Sequence, residues 1–387
     1  MRYSLSLLAA AGAMAAPIIA PRDAEAPIIP GKYIVVLKND AASDVLTTSM
    51  NHVISVLGAN TPQHVYNMEG FKGYAITAED ALINSIKDLA EVDYIEPDTI
   101  VRTKALTSQT GAPWGLGRIS HRAKGSTTYI YDNTAGAGTY SYIIDTGIYT
   151  SHPDFGGRAT FGANYADSSN TDGNGHGTHV AGTTGSTTYG VAKKTNLIAV
   201  KVLGSDGSGT NSGVISGINW AANDAKNKGR IGKAVANMSL GGSFSTATNN
   251  AVRSATSAGL FMAVAAGNES QDAGNTSPAS ESTACTVGAT DKNDVFAYFS
   301  NFGSYVDILA PGVDIISTWN NGGTNTISGT SMATPHITGL GAYLLALEGT
   351  RTPAALCDRI KALSTKNVVT SVPSGTTNAL AYNGNGA

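Results

Sequence analysis

The first third of the chain alternates between two apolar periods. Residues 32–38 (KYIVVLK) form a β-branched run that predicts a strand. Val45, Leu46, Val53, Val56 and Leu57 recur at helical spacing across 42–57, and residues 64–77 read as two strands around Glu69-Gly70. Leu82, Ile83, Ile86 and Leu89 share a helical face, with Thr77 and Asp80 spaced to cap its start. Residues 92–101 supply a last strand. The order β-α-β-β-α-β predicts a small ferredoxin-like α+β unit over about 32–101.

Further along, near-continuous apolar runs at 140–144, 197–202, 234–238 and 260–265 read as strands. They alternate with helical segments at 212–226, 246–258 and 331–347. That alternation predicts an α/β domain with a parallel sheet flanked by helices. Chemistry in such sheets gathers beyond the carboxyl ends of the strands. A charge shift marks the boundary: residues 17–104 carry a net −5, and residues from 105 onward +1. The expected division is 1–16, 17–104 and 105–387.

Composition narrows the classes. The chain has 387 residues and a net charge of −3, which argues against a nucleic-acid binder. Hydrophobic residues make up 42%, enough for a large core. Arg2, an apolar run at 5–11 and the small-x-small site Ala13-Met14-Ala15 predict a secretory signal over 1–16. That run is too short for the roughly 20 residues a membrane span needs. The expectation is an exported, extracellular protein, monomeric by default, in which one disulfide would persist. Pro17, Pro21, Pro27 and Pro30 predict an unstructured spacer before the small unit.

Three segments could carry chemistry. Asp145 closes an apolar strand and precedes Thr146-Gly147. An aspartic peptidase would need a second such carboxylate, and no other Asp-[Ser/Thr]-Gly occurs. The second segment, Asn174-Gly175-His176-Gly177-Thr178-His179, holds two histidines whose spacing does not favour either. A metal there would want a third ligand that nothing local supplies. In the third, Gly329-Thr330-Ser331-Met332-Ala333-Thr334-Pro335-His336 opens an apolar helix. An α/β-hydrolase reading of Gly329-x-Ser331-x-Ala333 fails on chain order, because no histidine follows a suitable acid after Ser331.

Asp145, His176 and Ser331 stand in the chain order of subtilisin. Together with Ile143-Ile144-Asp145-Thr146-Gly147, His176-Gly177-Thr178-His179-Val180-Ala181-Gly182, the Ser331 segment and Ala112-Pro113-Trp114-Gly115-Leu116, they make the chain resemble the fungal, secreted subtilisin-like serine endopeptidases of the proteinase K group. The resemblance covers nearly everything after the signal and implies that residues 32–101 are an inhibitory propeptide of an autoprocessed zymogen, cut at Lys104-Ala105. It resolves the histidine choice toward His176 and implies Ser331 as nucleophile, Asp145 as its orienting acid and Asn268 as oxyanion donor. It implies substrate edges at Ser208-Gly209 and Ser239-Leu240-Gly241, and a P1 wall of Ala265, Ala266 and Gly267 suited to large apolar or aromatic groups. It implies a Cys285–Cys357 disulfide and a structural calcium at Asp307 with the carbonyls of Ser282 and Ala284. No cofactor is expected for catalysis. Partners would be protein or peptide substrates and the chain's own propeptide. Three sequons occur, of which Asn275 is the open candidate. A catalytically silent binding protein of this fold would have lost a triad or oxyanion residue, and none is lost.

Overall fold

A computed structural model describes residues 15–19, 28–39, 44–57, 61–99 and 106–386. The expected signal core and the Lys104-Ala105 cut lie outside the described residues. The chain divides into two compact units, Met1–Thr103 and Lys104–Ala387.

The small unit has the predicted element order: strand Ile28–Leu37, helix Val45–Leu57, strands His64–Met68 and Phe71–Thr77, helix Asp80–Ile86 and strand Val92–Thr99. Ile28–Leu37 is central, pairing antiparallel with both Phe71–Thr77 and Val92–Thr99. His64–Met68 adds outside Phe71–Thr77. Val35, Leu37 and Ile95 from the sheet close a core with Leu46, Val53, Ile83 and Ile86 from the helices. Each such side chain contributes roughly 1.5–3 kcal/mol when fully buried.

Two expectations need correcting here. The spacer is not wholly unstructured: Ile95 N–H donates to the Pro17 carbonyl at 3.0 Å, Ile19 N–H donates to the Ile95 carbonyl at 2.7 Å, and the first strand already starts at Ile28. A register shift between Ile28 and Tyr33 lets the strand absorb Pro30-Gly31. Thr77 does not cap the second helix. It ends a strand, and the cap position is Glu79, whose side chain makes no capping bond.

In the large unit, nine described strands form one sheet. Their order is Thr365–Lys366, Ala379–Leu380, Ile308–Pro311, Cys285–Thr290, Phe261–Ala265, Ala234–Met238, Tyr140–Asp145, Asn196–Lys201 and Ala159–Asn164. All described pairings are parallel except that of Thr365–Lys366. Tyr142 and Ile144 pack against Val214 and Ile218 of helix Asn211–Asn227 and Val252 of helix Thr246–Ser257. Ile143 points the other way, into a cluster with Val180 of helix His176–Gly185 and Met332 of helix Thr330–Glu348. The period of two along one strand thus serves both faces. The chain starts this sheet at Tyr140–Asp145 and builds outward on either side of it. A crevice therefore opens beyond Asp145, where connections leave in opposite directions.

Cys285 and Cys357 form a disulfide with Cα atoms 5.8 Å apart, tying the sheet to helix Pro353–Leu363. Among the described residues no helix is long and apolar enough to cross a membrane.

Candidate active site

Strand Tyr140–Asp145 ends on a carboxylate that is fully buried. Asp145 Oδ1 accepts from Thr146 N–H at 2.8 Å and from His176 Nδ1 at 2.8 Å. His176 opens its helix, and its side chain is 25% exposed, so one edge of the ring faces the crevice. The glycines flanking it are steric requirements. A Cβ on Gly175, which has φ 108°, would lie 2.4 Å from the Trp319 indole. One on Gly177 would lie 2.0 Å from the Gly147 carbonyl oxygen. Burial alone pushes the His176 imidazole down. The Asp145 carboxylate, through charge and hydrogen bond, and then the charge of Asp172, lift it above its ordinary value.

His179 is placed for a different task. It is completely buried, its Nε2 faces the carbonyl oxygens of Ile315 and Asn325, and burial drives its pKa to about 4. Geometry therefore separates the two histidines that spacing could not.

Ser331 is the second residue of its helix, so its N–H has no acceptor within the helix. Its Oγ donates to the Ser239 carbonyl at 3.1 Å, and no bond from Ser331 Oγ to His176 is formed among the described residues. The Ser331 carbonyl accepts from Ser239 Oγ at 2.7 Å. Pro335 explains that second bond. It sits four residues after Ser331 and has no N–H to give, so the Ser331 carbonyl is left for Ser239. The proline is thus tolerated by side-chain substitution rather than by lying in the first turn. Asn237 Nδ2 donates to Ser239 Oγ at 2.9 Å, and Thr338 Oγ1 donates to Asn237 Oδ1 at 2.9 Å. This buried relay leaves the Asn237 sequon unavailable, whereas Asn275 is exposed.

Asn268 follows strand Phe261–Ala265. Its Oδ1 accepts from Thr330 N–H at 2.8 Å and Thr330 Oγ1 at 2.9 Å, which leaves Nδ2 as the outward donor. A Cβ on Gly329 would lie 3.7 Å from both amide atoms, so the amide borders the start of the Ser331 helix.

A cavity of about 460 Å³ is lined by His176, Ser208, Gly209, Ser239, Leu240 and Gly241, among others. A second, of about 90 Å³, is lined by Leu240, Gly241, Ala265, Gly267, Asn268 and Ser331, with Glu269. The expected edge residue Ser208 and the expected P1-wall residue Ala266 behave differently. Ser208 lines the cavity just after the turn at 205–206, its N–H held by Asp206 Oδ1 and its carbonyl by Gly204 N–H. Ala266 does not line the pocket. It is buried with Ala273, Ala279 and Leu309, and its carbonyl accepts from Asn301 Nδ2. Glu269 escaped the sequence reading because a carboxylate after Asn268 looks like an ordinary loop residue.

Asp307, Ser282 and Ala284 line one cavity of about 350 Å³, together with Lys361. Asp307 Oδ2 accepts from Thr286 N–H at 3.0 Å, and Oδ1 lies 3.4 Å from the Lys361 ammonium. Calcium wants six to eight oxygens. Asp307 and the two carbonyls would supply part of that set and water the rest, and the Lys361 ammonium competes for the same carboxylate.

A model of the subtilase family matches residues 136–386, well over half of the chain. This chain belongs to the subtilase family. A model of the peptidase inhibitor I9 family matches residues 32–104. A cuticle-degrading protease of Metarhizium anisopliae is 54% identical over 95% of this chain and 93% of its own length. The subtilisin-like serine protease AsES of Sarocladium strictum is 53% identical over 96% and 93%. A crystal structure of a cold adapted subtilisin-like serine proteinase superposes with a TM-score of 0.68 at 46% identity, covering 71% of this subtilase and 99% of that chain. The chain is thus a serine protease of the subtilisin type, made as a zymogen with an inhibitor-type propeptide domain.

Proposed function

We propose that this subtilase is an exported endopeptidase that, once its signal is gone, removes its own residues 17–104 and cleaves extended peptides broadly. Ser331 Oγ turns from the Ser239 carbonyl to the imidazole and attacks the peptide carbonyl. His176 takes the proton and returns it to the leaving amine. Asp145 holds the ring and stabilises its charged form. Asn268 Nδ2 and the Ser331 N–H receive the oxyanion. The observation that carries this reading is the 2.8 Å bond between buried Asp145 and half-buried His176, with Ser331 opening a neighbouring helix.

Ala265, Gly267 and Gly241 leave room at P1 for large apolar or aromatic groups. Glu269, whose Oε2 accepts from Asn301 Nδ2 at 2.7 Å, adds a carboxylate that tolerates basic ones. Residues 32–104 inhibit the mature enzyme in trans through main-chain pairing. Net charges of −4 for residues 32–104 and +1 for residues 105–387 give little long-range attraction, so that inhibition depends weakly on salt. Asn275 is the exposed site for a glycan. The cation at Asp307 is the Lys361 ammonium.

A serine-directed phosphonate tests the centre of this reading. It should add its mass to the peptide containing Ser331 and abolish peptide hydrolysis. The chain carrying Ser331→Ala should keep residues 17–104 when no other protease acts on the propeptide. Undiminished hydrolysis after labelling, or efficient processing of Ser331→Ala, would contradict it.

A further inference from the structure

Asp172 lies four residues before His176 and is 5% exposed. Five donors converge on its carboxylate. Oδ1 accepts from Thr146 Oγ1 at 2.9 Å, Asn174 N–H at 3.1 Å and Gly175 N–H at 2.9 Å. Oδ2 accepts from Thr178 N–H at 2.9 Å and Thr178 Oγ1 at 2.6 Å. Thr146 Oγ1 in turn accepts from Gly177 N–H at 2.8 Å. The two loops meet at close quarters: a Cβ on Gly147 would lie 3.3 Å from the Asp172 backbone.

We propose that Asp172 is a positioning residue of the catalytic triad, clamping the residue after Asp145 to both sides of His176 and adding a second negative charge beside the imidazole. This rests on the triad reading above. Only a carboxylate offers about four lone-pair sites with no hydrogen of its own, so that five donors fit with one site on Oδ1 shared. An asparagine would turn N–H groups toward Thr178 N–H. A carboxylate before a helix is often just a cap that satisfies free N–H groups. Two features exceed that role here. The bond to Thr146 leaves the helix and reaches the Asp145 loop. The charge also acts on His176, alongside that of Asp145.

Elements packed against the His176 helix carry other ionisable groups: Lys201 on the strand beside Asp145, Asp154 in the short turn Pro153–Phe155, and His336 on the Ser331 helix. His179 lies on the His176 helix itself. Of all these, Asp145 and Asp172 are the two whose charges raise His176. The base works when neutral, so activity is lost as pH falls through the His176 pKa. Removing the Asp172 charge lowers that pKa and moves the acid limb to lower pH.

The test has two arms. In the full chain inactivated by Ser331→Ala, NMR follows the His176 titration, and adding Asp172→Asn should move its midpoint down. In the active enzyme, Asp172→Asn should cut kcat/KM roughly tenfold to a hundredfold, the range expected when reacting groups are slightly misplaced, and shift the acid limb down. Thr146→Val cuts the same clamp but keeps the charge. It should lower kcat with the limb in place, and Thr146→Ser should recover most of the loss. A folded Asp172→Asn enzyme with wild-type kcat and an unmoved titration overturns the proposal. If that variant does not fold, undiminished kcat in Thr146→Val overturns it instead.

Discussion

The two units handle buried polarity in opposite ways. Among the described residues of Met1–Thr103, Ser49 is the only buried polar side chain, and it bonds to the Tyr74 hydroxyl at 3.2 Å. The unit Lys104–Ala387 buries Arg118, Asp145, His179, Lys201, Asn237 and Asp294, among others. Most of them are tied into bonded chains. Arg118, for instance, forks onto both Asp294 oxygens at 2.7 and 3.1 Å. An unbonded polar group in such a setting would cost on the order of 1–3 kcal/mol. A unit with one apolar core has little margin for such groups. A large sheet covered on both faces, with a disulfide, has more. The difference shows where chemistry can be housed: the large unit holds a buried carboxylate next to an imidazole by bonding Asp145 Oδ1 to Thr146 N–H and His176 Nδ1, and it bears the cost of leaving Asp145 Oδ2 buried without a partner.

The sharpest way to break that network is at Asn268. Its Oδ1 is held by Thr330, so the side chain cannot turn, and Nδ2 stays aimed outward. Asn268→Ala should lower kcat by roughly 10²–10³, a magnitude carried over from subtilisin rather than from this geometry, with little change in KM. The donor meets charge only in the transition state. Steady-state kinetics on a peptide substrate check this, and a loss confined to KM would contradict the oxyanion role.

The next largest effect separates the units directly. Cysteine occurs only in the large unit, where the disulfide spans 72 residues. In the chain-entropy model a loop of that size contributes up to roughly 4 kcal/mol. Replacing both cysteines by serine in the Ser331→Ala chain should lower the unfolding temperature of the large unit. The small unit's transition should not move. Calorimetry of the two chains reads this, and an equal downward shift of both transitions would show that the units unfold as one.

What the sequence disclosed follows the same division. The small unit was legible because its apolar residues keep strand and helix periods, and the structure has the predicted order of elements. In the large unit the apolar strands beside Asp145 were legible for the same reason. The helix His176–Gly185 was not. HGTHVAGTTG has weak helix formers and no apolar stripe. It forms because its glycines admit close neighbours: a Cβ on Gly182 would lie 2.2 Å from Thr318 Oγ1. Asp172 was missed since an Asp among Gly and Asn reads as a turn, and its five donors come together only in the folded chain. Ala266 was misplaced because one-residue alternation at a strand end decides between pocket and core, and the sequence does not mark where that alternation stops.

The smallest effect concerns a charge at the edge of the large unit. Burial raises the Asp307 pKa, while the Thr286 N–H and the Lys361 ammonium pull against that rise. Lys361 also pairs with Asp358 at 2.9 Å. It is one-third exposed, so its pairing is worth at most about 1 kcal/mol. Lys361→Ala removes the cation and leaves Asp307 facing Ser282 and Ala284 across an open cavity. In chelator-treated buffer the variant should unfold slightly below the parent, and the raised Asp307 pKa should rise further. Because that group favours protonation when folded, the deficit should be present near neutral pH and shrink as pH falls toward the carboxylate range. Calcium should then restore the variant, since a divalent ion can take the place vacated by the ammonium, while the parent gains nothing at this site. Melting temperatures measured with chelator and with millimolar calcium, for both chains and for Asp307→Asn, decide the matter. A calcium-dependent rise in the parent that Asp307→Asn abolishes would mean that the metal displaces Lys361, and the built-in cation would be refuted.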